Sequence, residues 1–203
     1  MPDHPLATPG RVFVTADTHF GQVDAVGNYD RDFADSSAMD TAYIDSINEH
    51  LGPQDLLLHL GDFTGDLESK KTKVRVANEV RARIEVDRIV LVRGNHDPKD
   101  RDFDRLFTSV HDLLTFRWPA KGNRVVCCHY PLRGWQGNRN GSIHLHGHTH
   151  GRLEEIGRET DVGVDCWSNH PIPLDSLVKA LATREIVACP ERRHRRQPNR
   201  SNI

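Results

Sequence analysis

Four short polar motifs follow apolar runs along the chain, and this arrangement constrains the fold more than any other feature of the sequence. The motifs are Asp-Thr-His at 17–19, Gly-Asp at 61–62, Gly-Asn-His-Asp at 94–97 and Gly-His-Thr-His at 147–150, and His129 stands alone between the last two. Each follows an apolar run with the length of a buried strand. Sites in α/β proteins favour the carboxyl ends of such strands. The motifs are therefore predicted to build one site at that edge.

Predicted helices and strands are mixed along the chain, with no internal repeat. The spacing of Met39, Tyr43, Ile47 and Leu51 predicts an amphipathic helix over 36–51. Further helices are predicted at 68–85, 102–107 and 175–184, and strands at 11–15, 56–60, 88–92, 124–128, 143–146, 161–166 and 185–188. This order predicts one α/β domain over residues 11–189, with disordered termini at 1–10 and 190–203.

Composition excludes several classes of protein. The 203 residues are 36% hydrophobic and 28% charged, which is typical of a globular domain with its own core. Since no apolar stretch reaches the length of a membrane span and no signal-peptide pattern opens the chain, a cytoplasmic protein without membrane contact is predicted. Cys127, Cys128, Cys166 and Cys189 form no Cys-x-x-Cys pair, so reduced thiols are favoured over a disulfide or zinc site.

Charge is unevenly distributed along the chain. The segment 190–203 holds five arginines and one glutamate, so a net charge of −2 leaves −6 on the remainder. An acidic globular part is expected to hold cations better than a nucleic-acid backbone. The basic tail is interpreted as a solvated end, with nucleic-acid binding as the alternative.

The residue types in the motifs are those of a metal site. Asp17 and His19 are two apart at a strand end and so project to the same side, and His148 and His150 repeat that spacing. Carboxylate, imidazole and amide donors without a thiolate suit Mn, Fe, Co, Ni or Zn better than Ca or Mg. The carboxylate of Asp62 can bridge two ions, and paired ions about 3.5–4 Å apart clamp the attacking and leaving oxygens of a displacement at phosphorus. A phosphoester hydrolase is therefore predicted.

Taken singly, each of these residues has a simpler interpretation. Asp17 could cap a turn and Asn95 could occupy a left-handed turn. His59 lies inside an apolar run and is interpreted as a structural histidine outside the site. His144 and His146 share a strand face beside His148, and a supporting role behind the metal ligands is a second possibility for them.

The ordered set resembles the calcineurin-like metallophosphoesterase superfamily, whose signature runs Asp-x-His, Gly-Asp, Gly-Asn-His-Asp/Glu, His, Gly-His-x-His. Segments at 17–21, 59–63, 129–132, 145–148 and 162–167 narrow the resemblance to small single-domain bacterial and phage members. The resemblance implies a four-layer α-β-β-α sandwich with two mixed sheets and a dinuclear metal site at the carboxyl ends of the strands.

The resemblance also implies a role for each motif residue. His96 would lie near the metals without binding them, and Asp97 would orient His96. Two departures are Gln22, where small relatives often carry histidine, and the sequence at 63–66, and neither is expected to touch a ligand. Two divalent transition-metal ions are implied, manganese first and Fe, Ni, Co or Zn as alternatives: metal 1 on Asp17, His19, Asp62 and His150, and metal 2 on Asp62, Asn95, His129 and His148.

The predicted reaction is metal-dependent hydrolysis of a phosphoester, with a phosphodiester favoured. A hydroxide that bridges the ions would attack phosphorus, and His96 would donate a hydrogen bond or a proton. The partner is a phosphoester substrate, which could be a nucleotide or nucleic acid, and no oligomeric state is predicted. Asn28, Arg31 and Arg133 are candidate substrate contacts, and Trp135 could stack on a base or cover the core. The alternatives are a non-catalytic metal-binding scaffold of the same fold and a nuclease aided by the basic tail.

Overall fold

Two mixed β-sheets form the centre of the computed structural model, which describes residues 6–119 and 121–187. The first sheet has the strand order β4-β3-β2-β1-β9 and the second β5-β6-β7-β8. Only β9 in the first sheet and β5 in the second run antiparallel to their neighbours among the described strands. The strands are β1 (Val12–Thr15), β2 (Leu56–His59), β3 (Arg88–Val92), β4 (Ser109–His111), β5 (Leu114–Trp118), β6 (Asn123–Cys127), β7 (Ile143–His146), β8 (Glu159–Asp161) and β9 (Ile172–Pro173).

The described chain has five α-helices, of which four lie between strands and the last follows β9. The two long helices begin at capping side chains, because Asp35 accepts from the Ala38 N–H at 2.8 Å and Ser69 from the Thr72 N–H at 3.1 Å. The helices are α1 (Ala25–Asn28), α2 (Ser36–His50), α3 (Lys70–Arg81), α4 (Arg101–Asp104) and α5 (Leu174–Ala182), with 3₁₀ turns at Asn138–Asn140 and Val164–Cys166.

The first sheet is buried on both faces, which explains its uninterrupted apolar runs. In β1, Val12 and Val14 face the core between the two sheets, whereas Phe13 faces the core beneath α2 and α3. The strands β2 and β3 alternate in the same way. Successive residues of these strands therefore point into opposite cores. A shift of the strand register by one position would move each side chain into the other core.

The second sheet shares the inter-sheet core through Val125 and Leu145, and α5 packs against β1, β9 and β7. On the outer face of this sheet His144 is fully buried, and the Trp135 ring packs 5.1 Å from it. The predicted α/β class with two mixed sheets is confirmed.

Some predicted strands differ in the structure. The strand predicted at 161–166 ends at Asp161, because the Asp161 carboxylate accepts the Gly163 N–H at 2.7 Å and the chain turns into the 3₁₀ helix. Residues 185–187 form no strand, and Ala188 lies outside the described residues. The strands β4, β5 and β9 were not predicted; β9 has only two residues, and pairing with β1 creates it.

The amino-terminal segment contacts the rest of the domain where it is described. Leu6 is 1% exposed and belongs to the inter-sheet core, and Gly10 donates to the Gln54 carbonyl at 3.2 Å. Residues 6–10 therefore pack against the domain, and disorder of the termini stays a prediction. Residues 1–5 and the basic tail at 190–203 lie outside the described ranges, and the domain limits 11–189 stay a prediction.

Two further predictions concern membranes and thiols. Within residues 6–119 and 121–187 no helix combines the length and the apolar character needed to cross a bilayer. Cys127 and Cys128 are buried free thiols, as predicted, and Cys166 is an exposed free thiol. Cys189 lies beyond the described part.

The two-core packing predicts the effect of a cavity. Leu56 is fully buried between the sheets at the start of β2, far along the strand from the motif at its end. Leu56→Ala should lower the free energy of unfolding by about 2–5 kcal/mol. Urea unfolding in excess chelator measures this value, and Leu113→Ala, at a side chain that is 51% exposed, is the control that should change it little. Equal values for the two variants would contradict the packing.

Candidate metal centre

Each predicted ligand follows the carboxyl end of a parallel strand, and the two sheets bring these ends together. Asp17 N–H donates to the Gly61 carbonyl at 3.0 Å, which joins the loops after β1 and β2. Gly147 N–H donates to the His129 carbonyl at 3.0 Å, which joins the loops after β6 and β7. A bridge between Ala16 and Gly163 connects the two sheets at this edge. The predicted convergence of the motifs is present in the fold.

Among the described residues, three overlapping groups of side chains could hold a cation. Within each group the donor atoms lie within 4.8 Å of one another. The Asp62 carboxylate is central, because its Oδ2 lies 3.3 Å from His129 Nε2 and 3.7 Å from His19 Nε2. Asn95 joins the cluster through its Oδ1, 2.9 Å from His129 Nε2. The groups are Asp17, His19 and His150; Asp62, His129 and His148; and His19, Asp62 and His96.

The first two groups correspond to the two predicted ion sites. The first group does not include Asp62, and Asn95 stands beside the second group through its contact with His129. The third group was not predicted, since His96 was expected to stay unliganded. His96 therefore has two possible roles, as a ligand or as a group that faces the substrate, and metal content in a His96 variant separates them.

The backbone is strained at the candidate ligands. Five of them have left-handed φ angles, which non-glycine residues rarely adopt. Each such residue costs on the order of 1–3 kcal/mol and is characteristic of functional sites. The values are 58° at Asp17, 52° at His19, 52° at Asp62, 71° at His148 and 50° at His150.

Gly147 shows why glycine stands in these motifs. A Cβ at this position would lie 2.5 Å from Asp17 Oδ2 and 2.8 Å from the Ala16 Cβ. The His148 N–H that follows donates to both oxygens of Asp17, at 3.1 and 3.0 Å. The absence of a side chain therefore lets the last motif lie directly against the first carboxylate.

The electrostatics of the cluster centre on Asp62 and His129. Burial opposes the charge of both groups, but their mutual hydrogen bond and attraction prevail. The pKa of Asp62 falls to about 2 and that of His129 rises to about 9. His129 Nδ1 donates to the Leu60 carbonyl at 2.9 Å, so its Nε2 faces the carboxylate. The positive charge of this imidazolium occupies the place where a cation would neutralise Asp62.

The remaining donors differ in whether they are already in the protonation state that binds metal. His19 and His148 are, whereas Asp17 needs a cation to favour its charged form. Burial lowers the pKa of His19 to about 3 and also lowers that of His148, which keeps both imidazoles neutral. Burial raises the pKa of Asp17 well above its usual range, and the negative charges of Asp161 and Asp62 raise it further. The charge of His129 lowers this pKa but does not cancel the effect of burial. His19 Nε2 is buried and has no hydrogen-bond partner. A divalent cation would satisfy that nitrogen and offset the repulsion of the carboxylates, so the donors fit the predicted ions.

No described hydrogen bond joins Asp97 to His96, so the orienting role that the resemblance implies stays a prediction. Asp97 Oδ1 accepts from the N–H groups of Phe63 and Thr64 at 2.9 and 3.3 Å, and its Oδ2 from Gly94 at 3.0 Å. The carboxylate therefore braces the second motif loop against the third. His96 is placed by its backbone, since its N–H donates to Asp62 Oδ1 at 2.8 Å and its carbonyl accepts from Lys73 Nζ at 2.7 Å.

Gln22 does touch a predicted ligand, which corrects the expectation that it would not. His19 Nδ1 donates to Gln22 Oε1 at 2.9 Å. The same oxygen accepts the Asp66 N–H at 3.0 Å. Gln22 therefore fixes the His19 ring with Nε2 toward Asp62, a role that the local sequence does not reveal.

Arg31 is not placed as a substrate contact. Its side chain is 2% exposed and forms an ion pair with Asp165 at 2.8 Å, and its other nitrogens donate to the carbonyls of Asp17 and Thr18. A guanidinium committed to protein oxygens in this way has no donor directed at a phosphate. Asn28 and Arg133 are exposed, and their contact with substrate stays a prediction. Trp135 is half-buried and packs on His144, so covering the core is the better interpretation.

The structural histidines link loops. His59 Nε2 donates to the Thr18 hydroxyl at 3.1 Å, and its Nδ1 accepts the Gly61 N–H at 3.2 Å, which joins the first two motifs. His144 Nε2 accepts the Leu132 N–H at 3.0 Å and so holds the loop after His129. These contacts support the interpretation of His59 as structural and put His144 behind the loop rather than on a ligand.

Several residues near the cluster were missed. Tyr29 stacks on His150 at 3.8 Å, and Tyr130 is 44% exposed with its ring 4.8 Å from that of His148. Asp161 accepts from the Thr149 hydroxyl at 2.5 Å, and Asp165 from His150 Nδ1 at 2.7 Å. The segment at 162–167 belongs to the resemblance, but the sequence assigns it no role. No local pattern connects this segment to His150, which lies in the loop after β7.

Comparison with known proteins identifies the family. The model of the calcineurin-like phosphoesterase family matches residues 10–187, and the chain belongs to this family. Metal-dependent phosphoester hydrolysis is the activity that membership implies.

Three known proteins are similar to the chain in sequence or in fold. The chain is similar to the gene 66 protein of Mycobacterium phage D29, with 28% identity over 193 residues, 82% of this chain and 93% of the phage protein. Its fold is similar to that of a protein of unknown function from Aquifex aeolicus, with a TM-score of 0.61, 21% identity, and coverage of 84% and 98% of the two chains. A predicted phosphoesterase from Streptococcus pneumoniae aligns with a TM-score of 0.36, 14% identity, and coverage of 75% and 70%.

The central position of Asp62 yields a prediction about metal content. Asp62→Asn keeps the shape of the side chain but removes the charge that the two predicted ion sites share, so at least one of two ions should be lost together with nearly all turnover. Elemental analysis after gel filtration measures the ions per chain. Asp55→Asn, at a buried carboxylate that pairs with Arg11 away from the cluster, is the control and should keep the wild-type content. Two tightly held ions in the Asp62 variant would exclude a bridging role.

Proposed function

We propose that the protein is a dinuclear metallophosphoesterase that hydrolyses phosphodiesters in preference to monoesters, with manganese as the first candidate metal. The observation that carries the proposal is the arrangement of six oxygen and nitrogen donor residues around the buried carboxylate of Asp62, with His96 beside them. Asp17, His19, Asp62 and His150 would hold one ion, and Asp62, Asn95, His129 and His148 the other. When bound, the two ions supply an activated water as the nucleophile and neutralise charge on the phosphoryl oxygens.

The exposure of the donors indicates the side from which substrate enters. Asp17 and His19 are fully buried, whereas Asn95 and His148 are exposed and His96 is half-buried. The accessible side of the cluster is thus the one that carries His96 and the second ion group. Tyr130 lies on this side, against His129 and His148.

His96 is proposed to protonate the leaving oxygen. Its main chain is held at both the N–H and the carbonyl, so its ring projects from a fixed point at the mouth of the cluster. The ring lies 5.1 Å from that of His19, close enough for a phosphoryl group at the cluster to reach both. An acid in such a position contributes about 10²–10⁴-fold to a rate.

The preference for diesters follows from the leaving group. A diester leaves as an alkoxide with its own carbon chain, and that oxygen benefits most from a proton donor such as His96. The exposed side of the cluster also leaves room for the second ester arm. Asn28 and Arg133 are proposed to contact this arm, since both are exposed.

The role of His96 can be separated from metal binding. His96→Ala should keep the metal content near that of the wild type and lower kcat by about 10²–10⁴-fold for an alkyl leaving group. The loss should be smaller for a nitrophenyl ester, whose leaving group needs less protonation. His50→Ala, at a partly buried histidine in α2, is the control. An equal loss across leaving groups would indicate charge stabilisation only, and loss of an ion would indicate that His96 is a ligand.

The substrate preference has its own test. The ratio of kcat/KM for bis-nitrophenyl phosphate over nitrophenyl phosphate should exceed one at saturating Mn²⁺. Measuring both substrates at the same metal loading from neutral to alkaline pH removes differences in metal occupancy. A ratio well below one throughout this range would overturn the diester preference and leave the metal site intact.

A further inference from the structure

A buried ion pair joins the first motif to the segment after β8. Arg31 Nε donates to Asp165 Oδ1 at 2.8 Å and Arg31 Nη2 donates to Asp165 Oδ2 at 2.9 Å, which is the bidentate geometry of a strong pair. The Arg31 side chain is 2% exposed and that of Asp165 is 11% exposed. The two residues are separated by 134 positions in the sequence.

On one side, Arg31 holds the backbone of the first motif. Its Nη2 donates to the Asp17 carbonyl at 2.6 Å and its Nη1 to the Thr18 carbonyl at 3.2 Å. These carbonyls belong to the strained turn in which Asp17 has a φ of 58°. The guanidinium therefore stabilises the conformation that directs the Asp17 side chain into the cluster.

On the other side, Asp165 holds the ring of His150. His150 Nδ1 donates to Asp165 Oδ2 at 2.7 Å, which leaves Nε2 as the nitrogen available to a cation. The ring is also confined by Tyr29, which stacks on it at 3.8 Å with an angle of 9° between the planes. Arg31 lies over the same tyrosine, with its guanidinium carbon 4.8 Å from the ring centre.

A buried pair of this kind is poorly explained by stability alone. Well-packed apolar side chains of similar volume often stabilise a protein as much as a buried ion pair or more. Apart from the bonds within the pair, every described side-chain hydrogen bond of these two residues ends on the first motif, on His150, or on the Met39 sulfur, 3.4 Å from Arg31 Nη1. The contacts thus connect two of the three donors in the group Asp17, His19 and His150.

We infer that Arg31 and Asp165 are positioning residues that set the geometry of one of the two ion sites, the one built on Asp17, His19 and His150. The inference rests on the proposed dinuclear site. It assigns the pair to one ion and not to the other, because neither residue contacts Asn95, His129 or His148 among the described hydrogen bonds and ion pairs.

The test is calorimetric titration of metal-free protein with MnCl₂. The wild type should bind two ions. Asp165→Asn should weaken one binding event by about 10–100-fold and leave the other near its wild-type affinity. Arg31→Lys keeps the positive charge but loses the bidentate fork, so it should weaken the same event by a smaller factor. Asp55→Asn, which breaks the Arg11–Asp55 pair just before β1 and β2, should leave both events unchanged.

A second comparison establishes which ion is affected. Asn95→Ala removes a donor of the other group and should weaken the event that Asp165→Asn spares, so the double variant should lose both. Urea unfolding in excess chelator shows whether each variant is folded. If Asp165→Asn is not folded, the MnCl₂ titration of Arg31→Lys tests the inference instead.

The outcomes separate this inference from the proposed function. Two unchanged binding events in folded Asp165→Asn would overturn the positioning role. Equal weakening of both events would overturn it too, and so would Asn95→Ala if it weakened the same event as Asp165→Asn. Fewer than two ions in the wild type would instead overturn the proposed dinuclear site, and this inference with it.

Discussion

The buried carboxylate of Asp62 is the group on which the rest of the site depends. It is 1% exposed, and an isolated charge at that depth would be very unfavourable. Its oxygens are satisfied by the backbone of His96 and by the imidazole of His129, which come from different sheets. The two sheets must therefore pack so that the ends of β2, β3 and β6 meet around one anionic group. The same requirement makes the site attractive to cations.

This arrangement is held against considerable local strain. Five candidate ligands have left-handed backbones, at on the order of 1–3 kcal/mol each, and that sum is comparable with the net stability of a whole domain, about 5–15 kcal/mol. The two hydrophobic cores on either side of the first sheet must offset it. A bound cation would add stability to the folded state alone, because the unfolded chain does not assemble the donors.

Carboxylates have two different tasks at this edge of the sheets. Asp17 and Asp62 point into the cluster, whereas Asp97, Asp161 and Asp165 support the loops around it through N–H, hydroxyl and imidazole donors. Acceptors of this kind fix the turns that carry the ligands. The supporting carboxylates also explain how turns with unfavourable φ angles remain in a single conformation.

The sequence by itself determined the strands that carry the motifs and the candidate donors that follow them. The bounds of β3 and β7 agree with the prediction residue for residue. A strand that is buried on one or both faces has a local pattern of apolar residues in its sequence, and this pattern can be recognised without the structure. The tertiary structure alone decided which polar groups meet: Asp97 braces neighbouring loops, Gln22 touches His19, and Arg31 turns inward to Asp165. A hydrogen bond between residues 134 positions apart depends on where two loops lie in space, and no local periodicity records that distance.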